Sequence, residues 1–204
     1  MKHICVFCGS SPGARPEYVR AAQALGRTLA AKKIGLVYGG AKVGMMGALA
    51  SASVEAGGEV TGVMPRSLVA KEVAFTGLRD LRIVETMHER KALMAELSDG
   101  FIALPGGLGT IEEFFEIMTW AQLGMHKKPC GLLNIGGYYD ALAGFIDHAT
   151  EEQFISPSGR SLMLVDDSPE RLLRKFELYE APSSDKASWA LRMSCKLSDA
   201  GSRT

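Results

Sequence analysis

From Ile4 to Val165, short apolar runs alternate with amphipathic stretches at nearly even spacing. The runs are Ile4–Cys8, Ile34–Tyr38, Val60–Met64, Leu81–Val84, Phe101–Leu104, Cys130–Asn134 and Leu162–Val165. Most are apolar at successive positions, which marks strands buried on both faces. The stretches between them predict helices. One runs from about Pro16 to Ala31, with proline suited to the first turn. A second, alanine-rich, ends near Ala56 before Gly57-Gly58. Others cover Met87 to Leu97, Ile111 to about Leu123, and Tyr138 to about Glu151. A last one opens at Ser168-Pro169-Glu170, with serine at the cap. Ser67 to Arg79 reads as irregular. This alternation predicts an α/β fold, a doubly wound parallel sheet in a single domain over residues 1–180. Residues 181–204 read as a poorly ordered C-terminal tail.

In such sheets ligands bind outside the carboxyl ends of the strands. Three predicted strand ends carry glycine-rich segments: Gly9 to Gly13, Gly39 to Gly47, and Gly106 to Gly109. The last lies in Leu104-Pro105-Gly106-Gly107-Leu108-Gly109-Thr110-Ile111-Glu112-Glu113, a strand, a glycine loop and a helix start. That order turns backbone N–H groups and the positive end of a helix dipole on whatever sits before the loop, which favours a phosphate. Thr110 and Glu113 have the spacing of a capping box. Yet Glu112 and Glu113 would repel a phosphate. Either they cap a solvated first turn, or one acts on a part of the ligand remote from its phosphate. Two nucleotide fingerprints fail. Gly39 and Gly44 have P-loop spacing, but Met45-Met46 replace the lysine and hydroxyl. Gly107-x-Gly109 is followed by Glu112 where a dinucleotide fold needs glycine.

Composition narrows the class without naming a partner. Lys+Arg and Asp+Glu balance at 23 each, so charge points to neither nucleic acid nor an anionic membrane. No apolar stretch approaches the roughly 20 residues of a membrane span. The N-terminus enters a strand too soon for a signal peptide, so the cytoplasm is expected. Cys5 and Cys8 form a C-x-x-C, but three residues apart on a strand they face opposite sides. Cys130 and Cys195 are isolated, so zinc lacks a second pair. Buried free thiols are expected, with no metal and no cofactor.

Pro105-Gly106-Gly107-x-Gly109-Thr110-x-x-Glu113 resembles the P-G-G-x-G-T-x-x-E signature of the Lonely Guy family. These are cytokinin riboside 5′-monophosphate phosphoribohydrolases, many once labelled lysine decarboxylases. Cys8-Gly9-Ser10-Ser11 resembles the family's first loop, and Tyr38-Gly39-Gly40 through Gly44-Met45-Met46-Gly47 its second. Met87-His88-Glu89-Arg90-Lys91 and Thr119-Trp120-Ala121-Gln122-Leu123-Gly124 resemble two further motifs. The similarity spans about Lys2 to Leu178. Ala41-Lys42 departs from the small residues common there, and the tail after Glu180 has no family counterpart. The resemblance implies a Rossmann-like homodimer that hydrolyses the N-glycosidic bond of adenine nucleoside 5′-monophosphates, with or without an N6 substituent. It implies Arg90 and Glu113 as the catalytic pair. It implies Ser10, Gly40, Met45, Glu72, Arg90, Lys91, Gly106, Gly107, Leu108, Gly109, Thr110, Ile111, Glu112, Glu113 and Thr119 as substrate contacts.

The chemistry asks for such residues. Cleaving a ribosyl–base bond puts positive charge on the sugar and negative charge on the base. A carboxylate near the anomeric centre stabilises the former or takes a proton from water. Arg90 either clamps oxygens bidentately or pairs on a helix surface. His88 is either a proton source for the base or a structural histidine. Two rivals stay open: a pyridoxal-phosphate lysine decarboxylase using Lys91, and a non-enzymatic nucleotide or molybdenum-cofactor carrier on the same fold. No motif marks the pocket around N6.

Overall fold

The computed structural model describes residues 1–69, 74–182, 189 and 191. Glu72 and nearly all of the 181–204 tail lie outside the described residues. Seven strands form one parallel sheet: β1 (His3–Phe7), β2 (Gly35–Tyr38), β3 (Val60–Pro65), β4 (Asp80–Val84), β5 (Gly100–Ala103), β6 (Cys130–Leu133) and β7 (Met163–Asp166). Their order is β4-β3-β2-β1-β5-β6-β7. Three strands step outward from β1 on one side; the chain then crosses back to lay β5 against the other side. That reversal beside β1 is the switch point where such sheets leave a crevice.

Helices cover both faces. They are α1 (Pro16–Ala31), α2 (Gly44–Glu55), α3 (Arg66–Val69), α4 (Met87–Glu96), α5 (Leu108–Gln122), α6 (Asp140–Glu151), α7 (Pro157–Ser161) and α8 (Pro169–Glu177). Alternation along β1 divides the core. Ile4 and Val6 pack with Leu25 and Leu29 of α1, Leu49 of α2, and Leu172 and Phe176 of α8. Cys5 and Phe7 pack with Met94 of α4, Phe114 and Ile117 of α5, and Ile146 of α6. Helix starts carry the expected chemistry: Pro16 opens α1, and Ser168 caps α8 by accepting from the Arg171 N–H. Thr86 likewise caps α4, accepting from Glu89 N at 3.1 Å.

Three expectations are corrected. The segment read as irregular from Ser67 begins inside the short helix α3, too brief for a helical period to register. Helix α2 starts at Gly44, so Met45, Met46 and Gly47 are its first turn rather than loop. Helix α5 starts at Leu108, with Gly107 at the cap in an extended conformation and no side chain capping it. Thr110 therefore lies inside the first turn and does not form a capping box with Glu113. No described helix is long and apolar enough to cross a membrane.

Candidate active site

A crevice of about 360 Å³ opens at the carboxyl ends of β1, β2 and β5. That lies within the range for small-molecule sites, roughly 300–1,000 Å³. Cys8, Gly9 and Ser10 follow β1; Gly39 follows β2; Met46 comes from α2, Leu68 from α3, Met87 and Arg90 from α4. Gly107, Leu108, Gly109 and Thr110 form its floor, with Glu112 and Glu113 of α5 beyond.

The loops are fitted to one another backbone to backbone. Gly9 N donates to the Pro105 carbonyl at 3.2 Å. A Cβ at Gly106 would lie 2.1 Å from Thr110 Oγ1, and one at Gly44 would lie 2.0 Å from the Ser10 carbonyl oxygen. Thr110 is buried, turned back against Gly106 rather than forward over the helix end. The first-turn N–H groups of α5 thus receive no side-chain cap, and a helix end of that kind attracts an anion.

Arg90 and Glu113 meet across the crevice. Arg90 Nη1 lies 3.2 Å from Glu113 Oε1, with side-chain exposures of only 8% and 12%. Arg90 Nε donates to the Val63 carbonyl at 3.1 Å. Arg90 is thus a fixed, buried cation and not a helix-surface charge. Removing either member of such a pair strands a buried charge.

Lys91, the next residue, turns to a different part of α5. Its ammonium lies 2.6 Å from Glu112 and 3.0 Å from Glu116. Burial disfavours its charge, but the hydrogen bonds it donates to Glu112 and Glu116 outweigh that and hold its pKa above the ordinary lysine value. The two neighbouring glutamates therefore serve separate cations, as the roughly 100° step between successive helix residues requires.

Of the residues implied by sequence, the crevice gathers Ser10, Arg90, Gly107, Leu108, Gly109, Thr110, Glu112 and Glu113. Gly40, Met45, Lys91, Gly106, Ile111 and Thr119 stand outside its wall. Gly40 turns with φ +82° and packs against Met64 and Leu81, and Met45 is buried in the core. Thr119 donates to the Phe115 carbonyl and lines another cleft, on the outer side of α5. His88 is exposed and does not line the crevice. Sequence reasoning did not single out Met46, Leu68 or Met87 as crevice walls. Leu68 sits on a helix too short to leave a pattern.

Cys5, Cys8 and Cys130 are free and buried. Burial, then the charge of Glu113, pushes the Cys5 and Cys8 thiols well up; burial alone takes Cys130 to about 12. Such thiols are not nucleophiles at neutral pH. Among the described residues no group of three His, Cys, Asp or Glu could hold a metal ion. A second cleft lies at the amino ends of β3 and β4, beside Glu59, Arg79 and Asp80. Asp80 there is engaged by Arg82 and Thr61.

Residues 46–176 match the family model described as "Possible lysine decarboxylase". The chain is 54% identical over 165 residues to a cytokinin riboside 5′-monophosphate phosphoribohydrolase of Rhodococcoides fascians, covering 80% of this chain and 83% of that one. It is 50% identical over 185 residues to a "Probable cytokinin riboside 5′-monophosphate phosphoribohydrolase" of Oryza sativa subsp. japonica, covering 91% and 74%. Among solved structures, the molybdenum cofactor binding protein of Rippkaea orientalis superposes with a TM-score of 0.62, covering 87% of this chain and 97% of that one. At 23% identity, that likeness shows the fold alone.

Proposed function

The chain belongs to the Lonely Guy family of cytokinin riboside 5′-monophosphate phosphoribohydrolases, and from that premise we propose that it hydrolyses adenosine 5′-monophosphates, N6-modified or plain. The products are the free base and ribose 5-phosphate. The observation that carries this reading is the buried Arg90–Glu113 pair, set one helical turn beyond an uncapped glycine loop.

The substrate phosphate rests on the first-turn N–H groups of α5. The ribose extends along the helix toward Glu113. Water adds at C1′ while the bond from C1′ to the base nitrogen breaks; the electron pair leaves with the base, which takes up one proton as the water gives one up. The Glu113 carboxylate stabilises positive charge on the sugar or accepts the water's proton. Arg90, 3.2 Å away, fixes that carboxylate in place. Apolar Met46, Leu68 and Met87 in the crevice lining suit a planar base and an apolar N6 substituent.

The older family description implies pyridoxal phosphate, whose Schiff-base lysine must become neutral. Lys91 is held charged between two carboxylates and does not fit that role. A carrier of this fold would bind nucleotide without cleaving it. We further propose a homodimer joined through the outer face of α5. Phe115, Met118 and Ile146 line an apolar cleft there, with Phe145 and Phe154 62% and 82% exposed nearby. Thr119, which lies in that cleft, reaches a nucleotide only across such an interface. Buried free thiols suit a reducing cytoplasm.

The test is incubation with AMP and with a prenylated adenosine monophosphate, following free base and ribose 5-phosphate. Glu113→Gln keeps the shape and removes the charge. Turnover should fall by about 10²–10⁴-fold with the circular dichroism spectrum retained. Base release at the parental rate would exclude Glu113 as the acting carboxylate; tight binding of intact nucleotide by the parent would favour the carrier.

A further inference from the structure

Three successive carbonyls lead into the glycine loop, and each is taken by a donor from another part of the chain. Leu104 O accepts from the Tyr139 hydroxyl at 2.7 Å, Pro105 O from Gly9 N at 3.2 Å, and Gly106 O from the Tyr138 hydroxyl at 2.6 Å. We propose that Tyr138 and Tyr139 are positioning residues that hold this loop ready for a phosphate. The inference rests on the reading of the loop given above.

In a trans peptide the C=O and the next N–H point in opposite directions, and among the described residues no peptide bond is cis. Fixing the Gly106 carbonyl toward Tyr138 therefore aims the Gly107 N–H the opposite way. Gly107 lines the crevice, and Tyr138 does not. The hydroxyl thus orients a donor without touching the ligand. A loop with glycines at 106, 107 and 109 would otherwise lose much conformational freedom on binding. Holding its carbonyls beforehand removes part of that loss from the binding step.

The tyrosines are themselves held. A 3-10 turn at Ile135–Gly137, with φ +58° at Gly136 and +73° at Gly137, leads the chain into them. Asn134 Oδ1 accepts from Tyr139 N at 2.7 Å, and its amide donates to Asp140 at 2.7 Å. The Tyr138 ring packs edge-on to Tyr139 and to Tyr18, with centroids at 4.9 and 5.6 Å. Arg15 donates to the Gly136 carbonyl and to the Tyr18 hydroxyl. The hydroxyls are therefore presented by a rigid neighbour, the segment after β6, rather than by the loop they steady.

Tyr138→Phe is the primary test, because Tyr138 is 40% exposed and its ring remains in the variant. Calorimetry of the full chain with ribose 5-phosphate and with inorganic phosphate should show Kd raised about tenfold for both probes, from loss of one hydrogen bond. Binding of adenosine, which lacks the phosphate, should be unchanged. KM for AMP should rise while kcat moves by less than about twofold. The melting temperature should stay within about 2 °C. Tyr139→Phe, at a buried site, should lower melting as well and shift the phosphate-to-adenosine ratio the same way. Unchanged phosphate affinity, equal loss for phosphate probes and adenosine, or a parent that binds neither phosphate probe overturns the proposal. A parent that hydrolyses no nucleotide, yet binds phosphate in a Tyr138-dependent way, sustains the positioning role and defeats the hydrolase reading.

Discussion

Arg90 keeps its place because an atom is missing elsewhere. A Cβ at Gly39 would fall 2.1 Å from its Nη2. Gly39→Ala must therefore displace the guanidinium, and with it Glu113. Small-to-large changes in tight sites cost about 1–3 kcal/mol, and an ångström of misplacement costs roughly 10²-fold in rate. We expect both, read by urea unfolding and by kcat/KM for AMP. A variant with parental kcat/KM would show that the guanidinium has room to spare. Sequence marked Gly39 as one glycine of a loop. It could not show that the space serves a side chain 51 positions later, because that contact exists only once β2 and α4 are packed. The same limit left Arg90 undecided between clamp and surface charge.

At the level of elements, α4 and α5 are joined by charge as well as packing. Lys91 bridges to Glu112 and Glu116, one turn apart on α5. Glu112 also lines the crevice, where an uncompensated carboxylate would oppose a phosphate. Lys91→Gln should raise KM for AMP about tenfold, equivalent to about 1.4 kcal/mol of binding. Glu112→Gln in the same chain should recover most of it, as steady-state kinetics on the double variant will tell. Failure to recover would mean that Lys91 meets the nucleotide directly. All seven strands and six of the helices were legible from apolar periodicity. Helices α3 and α7 were not, because four or five residues complete barely one turn. The start of α5 was misplaced because Thr110 has the right chemistry for a cap, while Gly107, with no side chain to offer, is the residue that takes the extended conformation.

For the molecule as a whole, alternation of strands and helices disclosed the fold class but not the order of strands. That order decides which loops share an edge. The strand ends placed the loop of Ser10 beside the glycine loop before Glu113, but that Arg90 joins them in one crevice was visible in sequence only through motif resemblance. Assembly is likewise a whole-molecule property. Sedimentation of the parent should give twice one chain's mass, and Met118→Asp, which places a charge in the apolar cleft of α5, should give single chains. A parent sedimenting as single chains would remove the proposed interface.

The central strand carries a cost in time. β1 is bonded to β2 on one edge and to β5 on the other, where Ile4 pairs with Gly100. During synthesis at about 5–20 residues per second, that second edge waits roughly 5–20 s for its mate. Until then the nascent protein presents an open strand edge, unpaired N–H and C=O groups flanked by the apolar side chains Ile4 to Phe7, the template on which strangers join. Yield from a ribosome should therefore depend on whatever chaperone shelters the emerging first half.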